Sequence, residues 1–172
     1  MNFFIIFSIL VTGLSALSFN SDETFKILQV SDTHFRDAKS PDCEDVDFTP
    51  CSYKNTTYFL ERSLEKEKPD LVVFSGDLVD WGTDNVNNSL KELLAPVISR
   101  KIYWCGILGN HDGQSGIDGG RKAVMEQLTR MPYSLSQMGP EDVSGYGNYV
   151  LNITTKNSNT PTVQILLADS TN

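Results

Sequence analysis

Three short clusters of carboxylate, imidazole and amide side chains follow apolar stretches of this chain. The first contains Asp32 and His34, the second begins at Asp77, and the third is the run Gly-Asn-His-Asp over 109–112. Carboxylates and amide oxygens favour Mn²⁺ or Mg²⁺, and imidazole extends the choice to Zn²⁺ and iron. If the fold brings the three clusters together, they predict a metal site.

The elements that must position these clusters can be predicted from apolar periodicity and from residues that end helices. In chain order they are a strand over 25–30, a helix over about 56–68, a strand over 71–75, a helix over 86–98, a strand over 102–108, a helix over about 121–130, and strands over 149–154 and 163–168. Pro96 is expected to kink or shorten the second helix. The alternation predicts an α/β layered fold, in which the carboxyl ends of the strands face one ligand crevice.

In this order and at these strand ends, the clusters resemble the opening three motifs of the calcineurin-like metallophosphoesterases. The run 67–77 resembles the lead-in to the second motif, and the runs 132–137 and 145–149 are similar to segments of small purple-acid-phosphatase-like proteins of plants and fungi. The resemblance implies a layered α/β/β/α metallophosphoesterase sandwich, of which this chain is expected to hold the N-terminal half.

The resemblance also implies metal-dependent hydrolysis of a small phosphorylated substrate through two divalent or trivalent ions, with iron, manganese and zinc as candidates. The implied metal ligands are Asp32, His34, Asp77 (bridging both ions) and Asn110. His111 would act near the leaving-group oxygen, as a general acid or by stabilising developing charge. Asp112 could hydrogen-bond His111 and fix its tautomer.

Two departures from the family pattern set the expectations for activity. Asp80 stands where purple acid phosphatases have an iron-binding tyrosine, and a turn or helix-cap role for it is as plausible as a catalytic one. The family's later motifs, including a Gly-His-x-His pair, supply further histidines, whereas this chain has two in all, His34 and His111. We therefore expect an incomplete site. The alternative is a catalytically inactive secreted fragment or binding domain, and a reading frame continuing past Asn172 would separate the two.

The first residues predict a route of export. Residues 1–18 resemble a signal peptide, and residues 23–172 would form the phosphoesterase part. The apolar stretch is short for a membrane span of about 20 residues, so no stable span is expected, although an uncleaved anchor is the alternative. Glycosylation sequons at Asn55, Asn87 and Asn152 agree with a secreted or vacuolar protein.

Charge and cysteine content narrow the remaining possibilities. The net charge of −8 disfavours nucleic-acid binding, and it would repel a phosphate ester unless cations occupy the site. Cys43 and Cys51 could form a disulfide or remain free, whereas Cys105 lies in an apolar run typical of a buried thiol. The sequence leaves the oligomeric state open.

Overall fold

The computed structural model describes residues 17–36, 53–80, 83, 85–114, 116–156, 158 and 160–170. Residues 1–16, Cys43 and Cys51 lie outside them. The elements are β1 (Leu17–Ser18), β2 (Ile27–Val30), α1 (Tyr53–Glu67), β3 (Leu71–Ser75), α2 (Val86–Ser99), β4 (Tyr103–Ile107), a 3₁₀ turn (Asp112–Gln114), α3 (Gly120–Arg130), β5 (Tyr149–Thr154) and β6 (Pro161–Leu167). They confirm the predicted α/β class.

Strands β2, β3 and β4 form a parallel sheet in that order, with β3 at its centre. Residues 71–74 of β3 are all buried, as expected for a central strand that is covered on both faces. In register, Val30 lies opposite Phe74, and Ser75 lies opposite Ile107. The carboxyl ends of the three strands therefore lie side by side, which confirms the predicted convergence of the loops that follow them.

Helix α2 buries a nearly continuous apolar face that includes Leu90, Leu93 and Leu94, all with no exposed surface. Asn85 caps its start by accepting a hydrogen bond from the Asn88 main-chain N–H at 3.0 Å. The expectation that Pro96 shortens this helix is wrong, because the helix continues to Ser99. A proline in the last turn removes one main-chain hydrogen bond, and burial of the apolar face outweighs that loss.

The second sheet has the order β1-β5-β6, with β1 parallel to β5 and β6 antiparallel to it. Leu17 pairs with Ile153 and is 3% exposed, so its side chain belongs to the hydrophobic core. The expectation that the first strand begins at residue 25 is therefore wrong. The apolar character of Leu17 made it indistinguishable in sequence from the leader before it. The leader boundary after residue 18 remains a prediction, and cleavage there would remove β1.

The thiol of Cys105 is buried at the centre of β4, as predicted. Burial raises its pKa to about 12, so the thiol remains protonated at neutral pH and is a poor nucleophile. The neighbouring Tyr149 hydroxyl donates to the Gly106 carbonyl at 2.7 Å. Among the described residues, none of the helices has the length and apolar content that crossing a membrane requires.

We expect Leu17→Ala to destabilise the chain by about 2 kcal/mol, because it empties a core position. Urea unfolding followed by circular dichroism measures the change. Ser18→Ala is the matched control, since Ser18 is exposed on the same strand and its loss should stay within about 0.5 kcal/mol. Equal effects for the two variants would show that β1 does not pack as described.

Candidate metal centre

The first two clusters lie side by side because pairing between β2 and β3 continues past the ends of the strands. The Asp32 N–H donates to the Gly76 carbonyl at 3.1 Å, and the His34 N–H donates to the Asp77 carbonyl at 3.0 Å. An isolated parallel bridge joins Phe35 to Val79 one step further on. The two loops are therefore held in register by main-chain hydrogen bonds, independently of any metal.

The three ligand candidates in these loops have unusual backbone conformations. Asp32, His34 and Asp77 have φ angles of 53°, 40° and 49°, in the left-handed region that side chains other than glycine seldom occupy. Such conformations persist only where surrounding contacts enforce them, and they cluster at functional sites. Here the continued pairing between the loops supplies those contacts. It turns the three side chains toward a common point.

The three side chains form a cluster in which one ligand atom of each lies within 4.8 Å of the others. His34 Nε2 is 3.9 Å from Asp32 Oδ1 and 3.8 Å from Asp77 Oδ2. An ion with bonds of about 2.1 Å can contact atoms separated by up to about 4 Å, so these atoms can share one ion with little movement. Two carboxylate oxygens and one imidazole nitrogen suit a divalent first-row metal.

The third cluster joins this site through Asp77. Its Oδ1 atom accepts a hydrogen bond from the His111 main-chain N–H at 2.8 Å. A Cβ atom on Gly109 would lie 2.4 Å from the Asp77 main-chain nitrogen, so close approach of the two loops requires glycine at 109. Gly76 has a φ of 109°, which accounts for glycine at the turn before Asp77.

His111 lies against the cluster with its ring centroid 4.8 Å from that of His34, in an edge-to-face arrangement. Its Nδ1 atom is buried and has no hydrogen-bond partner among the described residues. A buried polar atom of this kind at a cluster of ligands fits a site that is completed by a bound group. Asn110 is exposed in the same loop, and its role as a ligand of a second ion remains a prediction.

The profile of one protein family matches residues 25–169, which include all three clusters; its description is calcineurin-like phosphoesterase. The chain belongs to the calcineurin-like phosphoesterase family. Metallophosphoesterases of this family bind divalent metals, and the cluster of Asp32, His34 and Asp77 is a possible place for one.

The phosphoesterase chain is similar to purple-acid-phosphatase-like proteins of plants and to a fungal phosphatase. It is 46% identical over 152 residues to "Probable inactive purple acid phosphatase 14" of Arabidopsis thaliana, covering 82% of this chain and 37% of the relative. It is 42% identical to "Probable inactive purple acid phosphatase 29" of the same plant, covering 80% and 37%. It is 34% identical to "Phosphatase DCR2" of Saccharomyces cerevisiae, covering 85% and 26%.

The chain therefore spans between 26% and 37% of the length of these curated relatives, in agreement with the expected part of a longer domain. No solved structure matches the phosphoesterase chain.

Asp112 joins the second and third loops of the phosphoesterase from a position with no exposed surface. Its two carboxylate oxygens accept main-chain hydrogen bonds from Val79 at 3.0 Å and from Gly109 at 2.8 Å. Burial raises its pKa to about 6, and these hydrogen bonds oppose the shift. Because this pKa exceeds its ordinary value of 3.8, the stability that Asp112 contributes is complete below pH 4 and is lost as pH rises through about 6. That Asp112 fixes the tautomer of His111 stays a prediction.

Sequence reasoning missed two arginines that hold this site. The Arg121 guanidinium donates to the Gly109 carbonyl and to the carboxylate of Asp169, whose side chain is fully buried. Arg36 donates two hydrogen bonds to Asp80. For Arg36 the sequence offered one indication: it follows His34 by two residues in a chain that has few cations.

We expect Gly109→Ala to lower the free energy of unfolding by about 1–3 kcal/mol, because the added methyl group overlaps the Asp77 main chain. The same change should weaken Mn²⁺ binding, measured by isothermal titration calorimetry, since it displaces Asp77. Gly116→Ala is the control for Mn²⁺ binding: open space surrounds Gly116, so the expected cost is that of a side chain at positive φ, about 1–2 kcal/mol, with no displacement of Asp77. Unchanged Mn²⁺ affinity in Gly109→Ala would contradict the described contact.

Proposed function

We propose that this chain carries the first half of a two-metal site that hydrolyses small phosphate esters, in the manner of a phosphomonoesterase or acid phosphatase. The observation that supports it is the cluster of Asp32, His34 and Asp77 at the ends of parallel strands. One ligand atom of each residue lies within 4.8 Å of the others, so the three could share one ion. The match to the calcineurin-like phosphoesterases supports the same reaction class.

The proposed ligands divide between two ions of iron, manganese or zinc. Asp32 and His34 would hold the first, Asp77 would contribute to both, and Asn110 would hold the second. Bound at this site, such ions neutralise the charge of the ester and supply activated water for an in-line displacement. The chain's part is to fix three of these side chains: main-chain pairing holds Asp32 and His34, and the His111 N–H orients the Asp77 carboxylate.

His111 is the proposed proton donor. Its ring lies against His34, and its main-chain N–H is bound to Asp77, so the imidazole is held at the edge of the cluster. From there it would protonate the leaving-group oxygen or stabilise the charge that develops on it. Asp112 accepts hydrogen bonds from the main-chain N–H groups of Val79 and Gly109. In this way it holds the loop of His111 against the loop of Asp77.

The charge of the chain favours a small ester over a nucleic acid. At a net charge of −8 the chain repels a polyanion as a whole, and a phosphate backbone is bound through many cationic contacts. A single phosphate group at a cation-filled site needs none of them. The substrate proposed is therefore a small phosphorylated molecule.

A second candidate function is that of an inactive domain that retains the fold and binds metal or a partner without turnover. Two of the relatives described above are named probable inactive purple acid phosphatases. The chain itself contains two histidines, so within it a second ion would have Asp77 and Asn110 as protein ligands. A site with two protein ligands binds metal weakly.

We also infer a secretory route for the protein. The apolar leader supports it, and the sequon asparagines Asn55, Asn87 and Asn152 are all exposed, as a glycan requires. A secreted or vacuolar phosphoesterase would meet small organic phosphates outside the cytosol. Glycosylation would appear as a mass loss on treatment with an endoglycosidase.

The decisive experiment measures hydrolysis of an aryl phosphate by the protein from its complete natural reading frame, with Mn²⁺, Zn²⁺ or Fe³⁺ added after chelation. We expect turnover that metal restores. His111→Gln should retain metal and lose about 10²–10⁴-fold in kcat, whereas Asp77→Asn should lose both metal and turnover. Asp70→Asn is the matched control, because Asp70 accepts from the main-chain N–H of Lys26, just before β2, at the other end of the sheet.

The two candidate functions predict different results in this assay. Metal bound with measurable affinity but no turnover for any ester would favour the inactive domain. Turnover that survives Asp77→Asn would exclude the proposed site.

A further inference from the structure

We propose that Arg36 is a positioning residue of the metal centre: by fixing the carboxylate of Asp80, it sets the orientation of both His34 and His111. The proposal rests on the metal site of the proposed function. It concerns how this chain prepares the two imidazoles and is independent of which ester, if any, is hydrolysed.

Arg36 and Asp80 form a close pair in a partly enclosed position. Both Nε and Nη2 of Arg36 donate to the same oxygen, Asp80 Oδ2, at 2.9 and 2.7 Å. The two side chains are 18% and 12% exposed, so solvent screens the pair weakly. A guanidinium that holds one oxygen with two donors anchors that oxygen, and this restricts where the other oxygen of the carboxylate can point.

The other oxygen, Oδ1, faces both imidazole rings. It lies 4.0 Å from His34 Nδ1 and 3.9 Å from His111 Nδ1. These distances exceed a direct hydrogen bond of about 3 Å. A small movement of either ring would bring its Nδ1 within hydrogen-bond distance of Oδ1. Hydrogen bonds at active sites often shorten in this way when a ligand binds.

His34 therefore has a different neighbour on each nitrogen. Nε2 faces Asp32 and Asp77, and Nδ1 faces Asp80. A metal-binding histidine almost always donates its second N–H to an oxygen acceptor, which fixes the ring and its tautomer. Asp80 is placed to be that acceptor, with the proton on Nδ1 and Nε2 free for metal. Arg36 keeps Asp80 in this place.

A rival interpretation makes Asp80 a metal ligand, because His34, Asp80 and His111 also lie close enough to share an ion. Charge argues against it. The Arg36 guanidinium already compensates Asp80 and would repel a divalent cation beside it. In contrast, within the part of the chain that the structure describes, no lysine or arginine pairs with Asp32 or Asp77. A cation gains more at the cluster of uncompensated carboxylates.

The test compares Mn²⁺ binding by calorimetry in the wild-type chain, Arg36→Gln, Asp80→Asn and the double variant. We expect each single variant to bind Mn²⁺ about tenfold more weakly, the usual effect of losing a group that orients a ligand, with unchanged stoichiometry. Because Arg36 acts through Asp80, the double variant should bind no more weakly than Asp80→Asn alone. Arg36→Lys should recover part of the affinity, since it keeps the charge and loses the fork.

A second measurement needs no metal. The chain has two histidines, so the ring nitrogen resonances of the ¹⁵N-labelled protein can be assigned with one variant, His111→Gln. We expect His34 to carry its proton on Nδ1 in the wild-type chain and to shift toward the Nε2 tautomer in Arg36→Gln. Arg62→Gln is the matched control, because Arg62 pairs with Glu65 on the exposed surface of α1.

Several outcomes would overturn the proposal. Stronger Mn²⁺ binding or a higher stoichiometry in Arg36→Gln would show that the freed Asp80 is a metal ligand. Additive losses in the double variant would show that Arg36 does not act through Asp80. An unchanged His34 tautomer in a folded Arg36→Gln would show the same. If the wild-type chain binds Mn²⁺ and hydrolyses no ester, the proposed function fails and the role of Arg36 stands.

Discussion

The candidate metal centre depends on one contact, the approach of the Asp77 segment to the loop that contains Gly109 and His111. At this point the second strand end meets the third with main chain against main chain, and no side chain fits between them. Asp77 faces the first loop with one carboxylate oxygen and binds the His111 N–H with the other. Asp112 and Arg121 hold the same contact from behind, through Gly109. The ligand positions are therefore a property of the packed backbone, which a bound ion would use rather than create.

Electrostatics separate the site into two parts. Asp32 and Asp77 present carboxylates without a cationic partner among the described residues, and this is the environment in which a metal ion compensates the cost of gathering like charges. A few ångströms away Asp80 carries the same formal charge, but Arg36 satisfies it. His34 lies between the two parts and contacts both. The protein therefore compensates the charge of Asp80 itself, and a bound cation would compensate those of Asp32 and Asp77.

Much of this arrangement could be predicted from the sequence. Buried apolar runs followed by Asp, His and Asn identified the strand ends, and parallel topology required those ends to converge. Features that depend on packing between distant segments could not be predicted. The reason for glycine at 109 is visible only when Asp77 lies beside it, and the pairing of Arg36 with Asp80 joins residues that are 44 positions apart. β1 was missed because an apolar residue such as Leu17 fits a leader as well as a strand.

The position of β1 has a consequence for the timing of synthesis. Leu17 is synthesised 137 positions before Thr154, whose hydroxyl donates a hydrogen bond to the Leu17 carbonyl. The second sheet therefore cannot acquire this strand until nearly all of the described chain has been made. The parallel sheet that positions the metal ligands needs nothing beyond β4 and can pair earlier. The sheet that bears the proposed ligands can therefore form before β1 pairs with β5 and completes the second sheet.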